Sequence, residues 1–574
     1  MTVNGSLQWA VDALMPELSA SEATAVRSWL GERGTGGGVV DQRALMRDHE
    51  RPVYTPARPD PDDPRGIRRV GVIGGGSAGY LTALALQARR PWLEVTVVES
   101  TDIPIIGVGE ATVPSFVLFL HHYLGIDAAE LYRRVRPTWK LGIKFEWGPD
   151  PQGFMAPFDW GSHTVGVLGS LRTQGDINAF TLQSLFMGAD RVPVYRVGEG
   201  HVSLMNQLPF AYHLDNKPFV EFLADTAAKR GIRHVDARIA EVRLSAEDWV
   251  DHLVTEDGRR LEFDFYVDCT GFRSLLLGKA LGTPFHSYAS SLFTDSAVTG
   301  NVAHGGHLKP YTTATTMDAG WCWNIPTPDS DHLGYVYSSA AIDADQAAEE
   351  LARKNPGITE PVFVRFRTGR HTEAWRGNVM AIGNAYAFVE PLESTGLLMI
   401  SSTAATLANL LPASWSDPVP REGVNAGLAA KWDALRWFLS IHYKFNTRLD
   451  TPFWREVRAN ADISGARQLL EVYRTGAPLR FRDRLTLGLL EGSAPPYYWL
   501  SGVDCVLLGQ RVPTRLLAGT EPLERWRERK AAADALVARG LRQADALHAY
   551  ASDPRLNDEL LGSPRSWACP GAAV

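Results

Sequence analysis

Three glycines and an acid carry the first chemistry that can be read from this chain. In RRVGVIGGGSAGYLTALALQARRPWLEVTVVES (68–100), Gly74, Gly76 and Gly79 fit the spacing GxGxxG, and Glu99 follows 99 − 79 = 20 residues later. A glycine at 74 permits a tight turn, one at 76 lets backbone approach a pyrophosphate, and one at 79 lets helix and strand pack closely. The N-terminus of the following helix offers free N–H groups and partial positive charge to phosphates, with Ser77 and Ala78 in its first turn. Glu99 can accept hydrogen bonds from ribose hydroxyls and disfavours a 2′-phosphate. The segment does not decide between NAD and FAD.

Other candidates stand further along. GWCWNIP (320–326) puts Trp321 and Trp323 on one face of a strand, and DFYVDCTGF (264–272) reads as a strand ending in a glycine turn, with Asp268 a structural acceptor. Glu393 lies in PLESTG, where an acid can cap backbone donors or act as a base. His121 and His122 are adjacent, and neighbours on a helix face different ways, so they do not make a shared metal site. His442 in SIHYKF reads as a packed core histidine. No metal site is expected.

These residues need a scaffold. The 574 residues bear a net charge of −7 spread along the chain, which argues against nucleic acid or an anionic membrane as partner. Four cysteines without a CxxC pair read as reduced thiols. The N-terminus has no basic stretch before an apolar run, and no run of about 18 apolar residues occurs, so a cytoplasmic protein is expected. RPVYTPARPDPDDPRG (51–66) holds five prolines and reads as a linker. We expect an N-terminal extension and linker over 1–66, a main α/β module over 67–400, and a helical module over 401–574.

Taken in order, IGVGEATVP (106–114), DFYVDCTGF, GWCWNIP and GNVMAIGNAYAFVEPLESTG (377–396) resemble the flavin-dependent tryptophan halogenase family, over about residues 68–460. The resemblance implies a flavoprotein-monooxygenase-like FAD-binding Rossmann module with a mainly helical substrate module. It implies reduced FAD supplied by a separate flavin reductase, and chloride or bromide oxidised to hypohalous acid. That acid would then halogenate an electron-rich aromatic, an indole or phenol, free or bound to a carrier or peptide. By the same resemblance Gly109, Ala111 and Thr112 form a cofactor strap, and Glu393 is the catalytic glutamate, which would take a proton from the attacked ring or polarise the oxidant. Thr395 and Gly396 hold the halide, and Trp321 and Trp323 partition flavin from substrate. A homodimer is left open.

In that family a lysine is expected four residues past the strap proline, projecting between flavin and substrate. Here that position is Leu118, which cannot hold an oxidant. Lys140 and Lys144 in TWKLGIKFEW read as structural. Three outcomes stay open at this point: halogenation, a flavin-dependent monooxygenase or oxidase acting without halide, or a flavoprotein that has lost catalysis.

Overall fold

The computed structural model describes residues 14–20, 22–23, 56–103, 109–158, 177–179, 181–205, 208–476, 497–515, 522–553 and 555–556. Most of the expected N-terminal extension, and Cys569, lie outside them. Of the extension that is described, Leu14 is buried in the main core, and the linker's end is tied down where the Ile67 N–H donates to Ala413 O at 2.8 Å. Cys269, Cys322 and Cys505 are free and buried.

The strands that matter to the site are, in chain order, β1 (Arg69–Ile73), β2 (Glu94–Glu99), β3 (Gly109–Ala111), β4 (Thr138–Lys140), β5 (Gly142–Glu146), β6 (Phe154–Pro157), β7 (Ala211–Asp215) and β8 (Arg233–Asp236). They continue with β9 (Phe265–Asp268), β10 (Ser296–Val302), β11 (Thr312–Met317), β12 (Gly320–Pro326), β13 (Asp331–Tyr337), β14 (Thr359–Arg365), β15 (Trp375–Arg376) and β16 (Val379–Ala381). The helices are α1 (Ser77–Arg89), α2 (Pro114–Leu118), α3 (Gly396–Leu410), α4 (Arg421–Phe445), α5 (Arg467–Arg474) and α6 (Tyr497–Gly509).

One sheet has the order β8-β2-β1-β9-β16-β15, with every pair parallel except the last. Its central strands are buried on both faces, which is why VGVI and VTVV read as continuous apolar runs rather than alternating ones. Helix α1 covers this sheet and packs against α3. This is a Rossmann-like dinucleotide-binding arrangement, in which ligands gather at the carboxyl ends of the strands. A cavity of about 400 Å³ opens there, between Phe272 and Ser274 after β9 and Asn384 and Phe388 after β16.

A second sheet has the order β14-β10-β13-β12-β11-β5-β6, and a small sheet β3-β7-β4 meets it where β3 contacts β12. Helix α6 packs against both α4 and β6, and α4 also reaches β15 of the first sheet. No helix among the described residues is long and apolar enough to cross a membrane.

Candidate active site

The βαβ turn is built as its spacing demands. Gly74 has φ +119°, and a Cβ there would lie 2.3 Å from Cys269 O; a Cβ at Gly79 would lie 1.8 Å from Gly74 O. A Cβ at Gly76 would meet nothing within 4 Å, so open space lies before α1, whose N-cap Gly76 leaves the first amides without a side-chain acceptor. Ser77 spends its hydroxyl on Asn216 Oδ1 at 2.9 Å. Glu99 ends β2 with its two oxygens divided. Oε1 accepts from Tyr80 OH at 2.6 Å and from His234 Nε2 at 2.9 Å. Oε2 lies against Gly75, where a Cβ would be 1.5 Å away, and has no hydrogen-bond partner among the described residues.

The strap forms β3 and pairs with one edge of β7, whose other edge pairs with β4. Gly109 is needed there because a Cβ would lie 2.8 Å from the His332 Cβ, and Ala111 is buried opposite His213. Thr112 requires a correction. Its N–H and hydroxyl both donate to Tyr212 O at 2.9 Å, and the hydroxyl accepts from Tyr212 N at 2.8 Å. It is fully buried, so its side chain anchors the strap and has nothing left for a cofactor.

Leu118 also requires one. The apolar run PSFVL folds as α2, which turns Leu118 into the main core among Phe116, Val117 and Phe119, 3% exposed. Counting four residues past the proline follows the chain, but the helix packs that position into the apolar core.

A lysine does reach the acid loop, from β4. Lys140 is fully buried, and its Nζ donates to Ser394 Oγ at 2.6 Å. Lys144 pairs with Glu146 at 3.4 Å, whereas Lys140 is turned to the acid loop. Burial lowers Lys140 to about 7, against the attraction of Glu393. His213 on β7 braces this strand. Thr138 donates to Pro326 O at 2.7 Å, so it accepts from His213 Nδ1 at 3.1 Å, and His213 Nε2 then accepts from Thr312 at 3.0 Å. That tautomer is neutral, as burial and the neighbouring Lys140 both favour.

The acid loop runs into α3. Ser394 has φ +57°, a left-handed conformation costing about 1–3 kcal/mol for a residue with a Cβ. It turns the chain so that Thr395 becomes the N-cap of α3 without a side-chain cap, and open space faces Gly396. This space lies at the positive end of a 15-residue helix.

Glu393 beside Ser394 is 16% exposed, and its Oε1 lies 2.7 Å from His442 Nε2 on α4. The histidine is a packed core residue, as read, but it is also the acid's partner, which the sequence reading missed. Trp321 and Trp323 sit side by side on β12 with centroids 6.0 Å apart. Trp323 covers Gly334, and Trp321 turns its N–H toward Glu390 and Tyr443 without completing a hydrogen bond. Burial raises Glu390 to about 7. Asp268 is structural as expected, accepting from Thr270, Leu276 and Leu277. His121 is held by Ile126 O and Tyr212 OH, and no metal-binding cluster occurs among the described residues.

The tryptophan halogenase family model matches residues 69–519. The chain belongs to that family. It is 34% identical over 476 residues to the 7-chloro-L-tryptophan 6-halogenase KtzR of Kutzneria sp. (strain 744), an alignment covering 76% of this chain and 89% of that protein. It is 32% identical to the tryptophan 7-halogenase RebH of Lentzea aerocolonigenes, covering 77% and 89%. Among solved structures it is similar to MibH, described as "a lathipeptide tryptophan 5-halogenase", with 67% identity, a TM-score of 0.85, and coverage of 88% of this chain and 97% of that one. The structure of the tryptophan 6-halogenase SttH from Streptomyces toxytricini is 30% identical, with a TM-score of 0.76 and coverage of 84% and 100%.

This halogenase is therefore an FAD-dependent enzyme of the oxidoreductase type, using reduced FAD and halide. Its crevice suits that cofactor. The open space over Gly76, the uncapped amides of α1 and the free Glu99 Oε2 are what a pyrophosphate and a ribose require.

Proposed function

We propose that this halogenase chlorinates or brominates the indole ring of a tryptophan residue carried on a peptide. The observation that carries the chemistry is the buried line Lys140, Ser394, Glu393 and His442, with 2.6 Å and 2.7 Å contacts at its two ends. Similarity to MibH at 67% identity supports the peptide substrate. The absent lysine, which alone favoured a halide-free oxygenase, no longer argues for one, because Lys140 reaches the acid loop from β4.

Bound reduced FAD, delivered by a separate flavin reductase, supplies oxygen activation, from which halide yields the hypohalous oxidant. Gly74, Gly76, Gly79 and Glu99 hold the cofactor. Thr395 and Gly396 hold the halide with compact donors at the N-terminus of α3. Lys140 donates one N–H to Ser394 and keeps others to grip and polarise the oxidant's oxygen. With its charged and neutral forms nearly balanced near pH 7, it gives up or takes a proton at little cost. Trp321 and Trp323 wall the cofactor from the substrate and keep water out. Glu393 takes the proton that the halogenated ring carbon must lose.

The test is product analysis. The purified enzyme, FAD, a flavin reductase, NADH and chloride or bromide are combined with a tryptophan-containing peptide or with free L-tryptophan. Halogen isotope pattern on the peptide, far exceeding that on the free amino acid, is the expected result. Oxygen incorporated without halogen, independent of halide, overturns the reading.

A further inference from the structure

We propose that Glu393 and His442 share a single proton, forming a buried dyad in which the histidine fixes and charges the acid for its work as a base. The inference rests on the reading that Glu393 receives the ring proton.

Hydrogen-bond direction decides the matter. His442 is fully buried, and its Nδ1 lies 2.8 Å from Phe438 O, one turn earlier on α4. A carbonyl only accepts, so Nδ1 carries a hydrogen. In neutral imidazole Nε2 is then a bare lone pair. Yet Nε2 stands 2.7 Å from Glu393 Oε1. A carboxylate oxygen facing a lone pair at that distance is repulsive, so a proton lies between them. It sits on the glutamate or on the imidazole, and in both cases the pair is neutral overall.

The surroundings favour a neutral pair. Rings of Phe438, Phe145 and Trp147 stand 4.9, 5.3 and 6.2 Å from the imidazole, leaving little solvation for an isolated charge. The titratable groups facing the dyad are Lys140 from β4, Glu390 from the acid loop and Cys505 from α6. Glu393 Oε2 has no hydrogen-bond partner among the described residues, so one oxygen is fixed by His442 and the other is free for substrate.

The step balances. As the ring C–H bond breaks, its electron pair returns to the ring and restores aromaticity, and the proton moves to Glu393 Oε2. The dyad's own proton is then held by His442 as imidazolium. The added proton leaves to solvent with the product, restoring the neutral pair. Without the imidazole, Glu393 must stay ionised in an apolar site or take up a proton from water and lose its basicity. His442 is thus a positioning residue with an electrostatic task.

The test uses the full FAD-loaded enzyme with two variants. His442→Gln can donate to Glu393 but cannot carry the extra proton, and His442→Phe suits the aromatic surroundings and so guards against a folding failure. We expect either variant that folds to lower halogenation kcat about tenfold or more. FAD affinity, KM for the aromatic and the halide-dependent release of oxidant should stay within about twofold. Proton removal should also become rate-limiting, so that substrate deuterated at the reacting carbon shows a primary isotope effect larger than with the wild type. Unchanged kcat in a folded variant, or a lowered kcat with no change in isotope effect, overturns the proposal. Glu393→Gln separates the two failures. If that variant is fully active, the base reading itself falls; if it alone is slow, only the dyad falls.

Discussion

The Lys140 ammonium and the Ser394 hydroxyl lie 2.6 Å apart across 254 residues of sequence, which ties β4 to the loop that carries the acid. Because Ser394 is held in the left-handed region by its turn, the contact fixes a strained loop as well as a lysine. Lys140 therefore both anchors this loop and brings an ammonium to it.

Replacing it tests the anchor against the chemistry. Lys140→Met keeps the apolar stem and removes the charge, so halogenated product should fall about a hundredfold or more. FAD affinity should change less than about twofold. In the wild type the ammonium is lost as pH rises through about 7, so a limb of the pH–rate profile near that value should be absent from any residual activity of the variant. Product mass spectrometry beside oxygen uptake reads both effects.

A second carboxyl gives a stability test with a definite sign. Burial raises Glu390 from the usual carboxylate range to about 7. The folded state therefore binds the proton more tightly than the unfolded chain. Its stabilising contribution is complete below the unfolded value and is lost as pH rises through about 7. Glu390→Gln, which is never ionised, should be more stable than wild type at pH 8 by up to about 2–3 kcal/mol relative to their difference at pH 4. Thermal unfolding at the two pH values measures this; a pH-independent difference would falsify it.

What could be read from the sequence follows how local each feature is. The Gly74–Gly79 turn and Glu99 lie within one βαβ unit, so spacing alone placed them. Glu393, Thr395 and Gly396 share one loop. Lys140 and His442 arrive from strands and helices 254 and 49 residues from their partners, a distance that no spacing rule spans. A signal existed for Lys140 even so. In TWKLGIKF it is the inward position of a strand flanked by Trp139 and Leu141, an odd place for an unpaired cation unless something awaits it. The signal against Leu118 was also present, since PSFVLFL has no polar face to turn toward a tunnel.

The division of Glu99 predicts a cofactor phenotype. Tyr80 and His234 saturate Oε1, so Oε2 alone can meet a ribose. Tyr80→Phe removes one of the two donors and loosens the carboxylate. FAD and ADP should both bind about three- to tenfold more weakly, about the net value of one ordinary hydrogen bond, because what is lost is the carboxylate's orientation and not its contact with the ribose. Riboflavin, which lacks the adenosine ribose, should bind as to the wild type. Flavin fluorescence and calorimetry with ADP give the constants, and equal losses for all three ligands would point to general damage instead.

The sharpest contrast between chain position and spatial position is Leu118→Lys. If spacing past the strap governed the chemistry, this change would supply a missing ammonium and raise halogenation. The structure argues the reverse. Leu118 is packed among Phe116, Val117 and Phe119, with 3% of its surface exposed and no acid contacting it. A lysine there buries an unpaired charge, which costs about 3–5 kcal/mol, or forces α2 away from the core. Such a shift would also disturb the strap just before it, since Thr112 is pinned to Tyr212. The expected outcome is a lower melting temperature, weaker FAD retention and no gain in halogenated product. Leu118→Met, of nearly equal volume, should leave all three close to wild type. A stable Leu118→Lys enzyme with raised halogenation would mean that the oxidant passes this helix rather than Lys140.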